Sequence, residues 1–335
     1  MSVLLPKISL FALGGTIASV PAESGQDAVP RLEASSLVEA VPQLTGVAEI
    51  EARTFSQRAS GDLTFSVIHQ LADAIKESFA NGVDGVVVTQ GTDTLEETSY
   101  LLDLLTGEDN PIVLTGAMRN SGLAGPDGPA NVLAAVQVAA SPLARGFGPL
   151  VLFADQIHLA RYVRKTHSAF IDTFKSPNLG PVGWVTEGIV RIPLIPRERT
   201  QTVDVPSEGF EAVPEVALLK VGLDEDLKIL ESVEQLGYSG VVIEALGGGH
   251  LPSWAVTRAA EVAEQMPVVF VSRTGSGSTY RSTYGFPGSE RDLLAKGLIS
   301  GGTLDGAKAR VLLRLLIASG ADRDAIAERF ATEAL

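Results

Sequence analysis

Along the first half of the chain, short apolar runs rich in β-branched residues alternate with longer stretches in which apolar positions recur at helical spacing. Strand-like runs fall at residues 8–13, 48–55, 85–89, 112–115 and 150–154. The clearest helical stretch covers residues 63–80, where Val67, Ile68, Leu71, Ile75 and Phe79 fall near i, i+4 and i+7 spacing and Asp62 stands as a candidate N-cap. Such alternation stacks βαβ units into a parallel sheet, so the predicted fold class is α/β. From residue 192 to residue 214 the pattern gives way to Pro193, Pro196, Pro206 and Pro214 among charged residues. Proline cannot donate to a central ladder, so this stretch predicts a linker. Beyond it a second α/β unit is expected, with strand-like runs at 216–220, 241–244 and 268–271 and helical runs at 305–318 and 323–330. The expected layout is a larger N-terminal parallel-sheet domain over residues 1–191, the linker over 192–214, and a second, smaller C-terminal α/β domain over 215–335.

Composition narrows the partners more than the fold. The 335 residues suit two domains at about 150 residues each. Lys and Arg number 26 against 40 Asp and Glu, and the resulting formal charge of −14 repels polyanions, so no nucleic acid partner is expected. With no cysteine there is no disulfide framework, thiolate metal site or cysteine nucleophile. The opening Met1-Ser2-Val3-Leu4-Leu5-Pro6-Lys7 lacks the basic start of a secretory leader, which predicts a cytoplasmic chain. No apolar window approaches the roughly 18 residues needed to cross a bilayer, so no membrane partner is expected.

Three strand ends carry candidate chemistry. Phe11-Ala12-Leu13-Gly14-Gly15-Thr16-Ile17-Ala18 runs an apolar strand into two glycines and a hydroxyl. Glycines there let a ligand approach the backbone at the crevice where open α/β sheets bind; a tight βα turn with a structural threonine is the alternative. Val88-Thr89-Gln90-Gly91-Thr92-Asp93-Thr94 ends a second strand, and Thr92 and Asp93 stand where helix caps are also expected. Leu114-Thr115-Gly116-Ala117-Met118-Arg119 ends a third and is followed by Gly125-Pro126-Asp127-Gly128-Pro129. Together they predict a shared cleft, not yet a reaction. Neither a phosphate-binding loop nor a dinucleotide fingerprint follows a strand, no G-x-S-x-G elbow occurs, and His69, His158, His167 and His250 form no H-E-x-x-H pair. No cofactor and no metal are assigned, and His69 is read as a solvated residue on the polar side of its helix.

Leu13-Gly14-Gly15-Thr16-Ile17-Ala18 paired with Gln90-Gly91-Thr92-Asp93-Thr94-Leu95-Glu96-Glu97-Thr98 resembles the two signature segments of the bacterial L-asparaginase family, which includes glutaminase-asparaginases. The resemblance continues through Ser56-Gln57, Thr115-Gly116-Ala117-Met118-Arg119, Asp127-Gly128-Pro129, Ala160-Arg161-Tyr162-Val163-Arg164-Lys165-Thr166 and Gly302-Thr303-Leu304-Asp305-Gly306-Ala307-Lys308, and so spans essentially the whole chain. It implies a homotetramer built from intimate dimers with sites between subunits, and hydrolysis of a small-molecule amide without a cofactor. Thr16 matches the first nucleophile; Thr92, Asp93 and Lys165 match the second catalytic group. Ser56 and Gln57 match substrate-holding positions, with Gly15 and Gly91 beside them. A threonine hydroxyl needs a base to take its proton, and a partly desolvated lysine beside Thr92 is the base the resemblance implies.

The departures bear on substrate choice. No tyrosine stands between Ile17 and Tyr100, and the loop from about Ser19 to Pro30, whose Pro, Gly and small residues permit motion, holds Glu23, Gln26 and Asp27 instead. Where the family often has a Gly-Asn-Gly turn, this chain reads Gly247-Gly248-Gly249-His250. The family's inter-subunit carboxylate position falls near Tyr284, which leaves Tyr280, Tyr284 and Glu290 as candidate replacements; packing of a long loop is the alternative for the tyrosines. The reading is therefore L-asparaginase, with glutamine or another small amide, or a non-catalytic binding protein on the same fold, as alternatives.

Overall fold

The computed structural model describes residues 4–20, 29–30, 33–195, 199–206 and 213–333. Its contacts divide the chain into two units, Met1–Thr202 and Val203–Leu335.

The first unit is built on an eight-stranded sheet. Its strands are β1 (Lys7–Ala12), β2 (Glu49–Thr54), β3 (Gly85–Thr89), β4 (Ile112–Thr115), β5 (Pro149–Phe153), β6 (Gln156–Leu159), β7 (Gly183–Thr186) and β8 (Ile189–Arg191). They lie in the order β8-β7-β6-β5-β4-β3-β1-β2. The strands from β2 to β5 pair in parallel, while β5 to β8 form an antiparallel extension. The inner parallel strands are mostly apolar because helices cover them: α1 (Ala34–Glu39) and α4 (Gly128–Ala139) share a core with Ile8, Leu10, Val87 and Val113, whereas edge strand β2 is polar at four of six positions. Helices α2 (Phe65–Ala80) and α3 (Leu95–Thr106) pack against each other, and α3 also meets β5. The extension begins at Ala154 and Asp155, both at positive φ (47° and 61°), a turn that suits the twist of a tight hairpin.

Two sequence expectations are corrected here. Helix α2 is capped by Thr64, whose Oγ1 accepts the Val67 N–H at 3.3 Å; Asp62 sits one turn earlier in a 3₁₀ segment, Ser60–Asp62. His69 is half-buried, its Nδ1 lying 3.8 Å from Asp73 Oδ2, instead of standing free in solvent.

The second unit carries a four-stranded sheet in which β9 (Val216–Lys220), β10 (Gly240–Ala245), β11 (Val268–Ser272) and β12 (Ile299–Ser300) pair in parallel and in chain order. Helices α5 (Val256–Gln265) and α6 (Glu290–Ala295) connect its later strands. Helix α7 (Gly306–Ala318) covers β9 and β10 and is capped by Asp305, which accepts the Lys308 N–H at 3.0 Å; α8 (Arg323–Glu333) follows. Among the described residues no helix is long and apolar enough to cross a membrane.

His158 on β6 is 0% exposed, with Nδ1 2.9 Å from Ser176 Oγ and no partner at Nε2. Burial, with Lys175 adding to it against an opposing Asp172, lowers its pKa from 6.5 to about 4. The unfolded chain therefore takes up this proton first. The stabilising contribution of the neutral ring is complete above pH 6.5 and is lost as pH falls toward 4. Between pH 7.5 and 4.5, wild type should lose about 2 kcal/mol more unfolding free energy than His158→Gln, read from urea titrations at both values.

Candidate active site

The order β2-β1-β3 places the reversal of the sheet between β1 and β3, because the chain leaves β1 toward one side and resumes at β3 on the other. The crevice outside the carboxyl ends at such a reversal is the binding position of doubly wound sheets. Here the loops are drawn together by glycine. Gly15 has φ +85°, and a Cβ on it would lie 2.2 Å from both Cα and N of Gly91. Gly14 has φ +108°, and a Cβ there would lie 2.5 Å from the Arg58 carbonyl oxygen. The loops after β1, β2 and β3 thus touch backbone to backbone, with Thr16, Ser56 and Gln57, and Thr92 and Asp93 following the points of contact. Hydrogen bonds complete the stitching: the Leu13 carbonyl accepts from Ser56 Oγ at 2.9 Å and from Arg58 N at 3.0 Å. Thr94 Oγ1 donates to the Ser60 carbonyl at 2.9 Å and accepts from Gln90 Nε2 at 3.1 Å. Beside them, the Asp127 carboxylate accepts the backbone N–H groups of Met118 and Arg119, the latter at 2.8 Å, and so fixes the loop after β4.

Thr92 and Asp93 do not cap a helix: neither the 3₁₀ turn Thr92–Thr94 nor α3 has a side-chain cap. Both face Lys165 instead. Lys165 Nζ donates to Thr92 Oγ1 at 2.8 Å and to Asp93 Oδ1 at 2.5 Å. Lys165 enters on a two-residue strand, Arg164–Lys165, paired with Phe174–Lys175, and its backbone N–H donates to Glu96 Oε2. Thr92 is 5% exposed and the Lys165 side chain 15%, whereas the Asp93 side chain is 77% exposed. A hydroxyl and an amine in contact, mostly shielded from water beside an open carboxylate, form a proton-transfer pair whose amine is oriented from the solvent side. Thr16 is half-buried, and its hydroxyl has no hydrogen-bond partner among the described residues. Ser56 is half-buried and Gln57 exposed.

Residues 7–195 match the family described as Asparaginase, N-terminal, and residues 215–330 match the Glutaminase/Asparaginase C-terminal domain. The chain belongs to the asparaginase family. It is 34% identical to L-asparaginase 2 of Bacillus subtilis, covering 97% of this chain and 86% of the relative, and 33% identical to L-asparaginase 2 of Escherichia coli, covering 98% and 94%. A crystal structure of a probable cytoplasmic L-asparaginase from Campylobacter jejuni superposes with a TM-score of 0.88 at 31% identity, covering 97% of this chain and 99% of that one.

In the second unit the Gly247-Gly248-Gly249 turn packs against the loop that carries Tyr280 and Tyr284. A Cβ on Gly248 would lie 2.5 Å from the Tyr280 ring, so the tyrosine occupies the space of the missing side chain. Tyr280, Tyr284 and Phe286 pack with His250 in one aromatic cluster, the His250 ring centroid lying 5.3 Å from those of Tyr284 and Phe286. Glu290 is corrected as a candidate for the substrate's amino group: it is 0% exposed, its Oε1 accepts the N–H groups of Thr283 and Tyr284 at 2.7 Å, and its Oε2 lies 3.2 Å from His250 Nε2. Burial pushes its pKa up, but the N–H groups of Tyr284 and Thr283 and the His250 contact outweigh it and hold the carboxyl below its ordinary value. Both oxygens are committed to holding the loop that carries the tyrosines. Of the loop after Thr16, Ser19–Val20 and Val29–Pro30 pair as antiparallel strands; Glu23, Gln26 and Asp27 lie outside the described residues.

The sequence motif contains Glu96 without marking it out from its neighbours, and the brace from Gln90 through Thr94 to Ser60 was likewise not legible. The crowding of polar groups at one strand end was the available signal for both.

The glycine contact yields a comparison of two substitutions at nearly equal φ. Gly82 has φ +84° with nothing within 4 Å of its would-be Cβ, whereas Gly15 has Gly91 in the way. Gly82→Ala should cost about 1 kcal/mol from the left-handed backbone alone. Gly15→Ala should cost about 2 kcal/mol more and lower the thermal midpoint by roughly 5 °C beyond the Gly82 variant, measured by calorimetry.

Proposed function

We propose that this chain is an L-asparaginase, hydrolysing the side-chain amide of L-asparagine to L-aspartate and ammonia. The observation that carries the reading is the 2.8 Å contact between Lys165 Nζ and Thr92 Oγ1, made across 73 residues of sequence at the β1/β3 reversal. Membership of the asparaginase family supports it. In this reading Thr16 Oγ1 attacks the amide carbonyl and its proton passes to the leaving nitrogen. The C–N bond breaks, ammonia departs, and an acyl ester remains on Thr16. Water, deprotonated by the Thr92–Lys165 pair, then attacks the ester, and aspartate leaves as Thr16 regains its proton. Asp93 orients the lysine from the solvent side and, with Ser56 and Gln57, meets the α-amino and α-carboxylate groups of the substrate. Gly15 and Gly91 let the substrate lie against the backbone, and no cofactor enters any step.

The residues of the first unit carry the chemistry in this proposal, with residues 192–214 as the connection to a C-terminal domain. In this reading the chain works as a homotetramer or dimer with sites completed by a neighbouring subunit, as the sequence resemblance implies. The resemblance to a probable cytoplasmic enzyme supports a cytoplasmic location. A second reading, preference for glutamine or another small amide, is favoured by the filling of the Gly248 position by Tyr280 and by the commitment of Glu290 to its own loop. A site that hydrogen-bonds a substrate group discriminates strongly, so these changes bear on which amide is preferred.

Ammonia release should be measured over asparagine, glutamine and other small amides. Thr16→Ala should abolish turnover of every amide, and Lys165→Met should lower kcat/KM by about 10²- to 10⁴-fold. Well-folded wild type that binds asparagine in a calorimeter yet releases no ammonia would establish the binding-protein reading instead.

A further inference from the structure

Lys165 has a positioning problem that its side-chain contacts do not solve. Its ion pair with Asp93 is made to a carboxylate that is 77% exposed, and such pairs are screened and contribute little. Its other side-chain contact is a single hydrogen bond to Thr92. The backbone beneath it belongs to a two-residue strand, the shortest of ladders. Within that ladder Thr166 N donates to the Thr173 carbonyl at 2.9 Å, and Thr166 Oγ1 donates to the same carbonyl at 2.8 Å. Successive N–H groups on a strand point to opposite sides, so the Lys165 N–H is turned away from its partner strand. It meets the Glu96 carboxylate.

Glu96 lies in the first turn of α3, four residues after Thr92 and three after Asp93. A carboxylate there is favoured by the helix dipole. The same short segment therefore supplies both side-chain partners of the lysine amine and the acceptor for the lysine's backbone. We propose that Glu96 is a positioning residue for Lys165: by accepting its backbone N–H, Glu96 fixes the lysine Cα relative to Thr92 and so sets the reach of the amine to the threonine hydroxyl. The inference rests on the reading of Lys165 as the base of the proposed reaction. It goes beyond that reading by assigning the rigidity of the base to a residue that touches neither substrate nor proton.

What matters in this role is a correctly placed acceptor, not a negative charge. The test compares Glu96→Gln, Glu96→Asp and Glu96→Ala with wild type and Lys165→Met in asparagine hydrolysis, with thermal midpoints recorded for all five proteins. Glutamine keeps an acceptor at the same reach, so Glu96→Gln should stay within about 3-fold of wild type in kcat, less than one well-placed contact is worth. Glu96→Ala removes the acceptor and Glu96→Asp withdraws it by one methylene. Both should lose kcat by about 10- to 100-fold, the scale of a 1 Å misplacement, with KM changed little. The aspartate variant carries the comparison should the alanine variant fold poorly. Glu96→Asp matching wild type while Glu96→Gln falls would show that charge is what counts, and would overturn the proposal. So would full kcat in Glu96→Ala beside an inactive Lys165→Met, which leaves the reading of Lys165 intact. An active Lys165→Met would overturn that reading itself, and the purpose assigned to Glu96 with it.

Discussion

The near-contact of Gly15 with Gly91 is the constraint on which the N-terminal site depends. A parallel sheet whose strand order reverses opens a crevice between the two strands at the reversal, here β1 and β3. Crevice and chemistry are different things: side chains at the two strand ends would hold the loops apart. With hydrogen in place of Cβ at both positions, the loops close to a backbone spacing that leaves no room for a methyl group, and the residue after each glycine is a threonine. The positive φ of Gly14 and Gly15 also turns the chain sharply enough for Arg58 to pack beneath. One pair of missing side chains thus determines both the narrowness of the crevice and the hydroxyls that line it.

The lysine comes from elsewhere and is held by different physics. The loops after β1, β2 and β3 are fixed by a buried sheet whose strands are 0–5% exposed at most apolar positions, so their geometry is inherited from the core. Lys165 stands on a hairpin that contributes no strand to that sheet. Its strand partner Phe174 is buried with its ring centroid 4.4 Å from that of Phe153 on β5, and polar contacts do the rest: Thr92 and Asp93 at the amine, Glu96 at the backbone. An amine that is only 15% exposed needs such partners, since a buried polar group without a hydrogen bond is costly. A rigid pair of hydroxyl-bearing turns and a separately anchored amine is an arrangement in which the amine adjusts to the hydroxyls, not the reverse.

The division between what the sequence made legible and what it did not follows the same line. Strands β1, β3, β4 and β5 could be read because buried parallel strands are largely apolar runs, and edge strand β2 by the spacing of Ile50 and Ala52 between polar residues; the structure moves their ends by about one residue, the usual uncertainty of such boundaries. Strands β6 to β8 escaped notice: they are short, and β7 alternates buried Gly183 and Val185 with exposed Trp184 and Thr186, a pattern too brief to stand out. Thr16 and Thr92 were legible from strand-to-glycine motifs, yet their company was not, because caps and catalytic groups use the same residue types at the same helix starts. Lys165 could be singled out only through family resemblance, since an isolated lysine in an arginine-rich stretch otherwise reads as surface. Glu290 shows the limit of counting along a chain: it is near the expected position and has the expected charge, but its carboxylate turns inward to two backbone N–H groups.

That inward turn bears on why the two units differ in chemistry although both carry parallel sheets. In the second unit the strands follow one another in chain order, every connection advances in the same direction, and no reversal opens a crevice at the strand ends. What stands there instead is a loop made rigid from within: Glu290 ties down residues 283 and 284, Tyr280 fills the gap at Gly248, and His250 joins the rings to the carboxylate. Such a surface has little freedom to adapt to a ligand, but it presents aromatic rings at fixed positions. If a substrate's amino group meets this surface, it meets ring faces and hydroxyls rather than a carboxylate. Electrostatic attraction is then replaced by shape and by the weaker pull of an aromatic face on a cation. In the N-terminal unit, by contrast, an open negative charge does stand beside Thr92 and Lys165: the Asp93 carboxylate, 77% exposed.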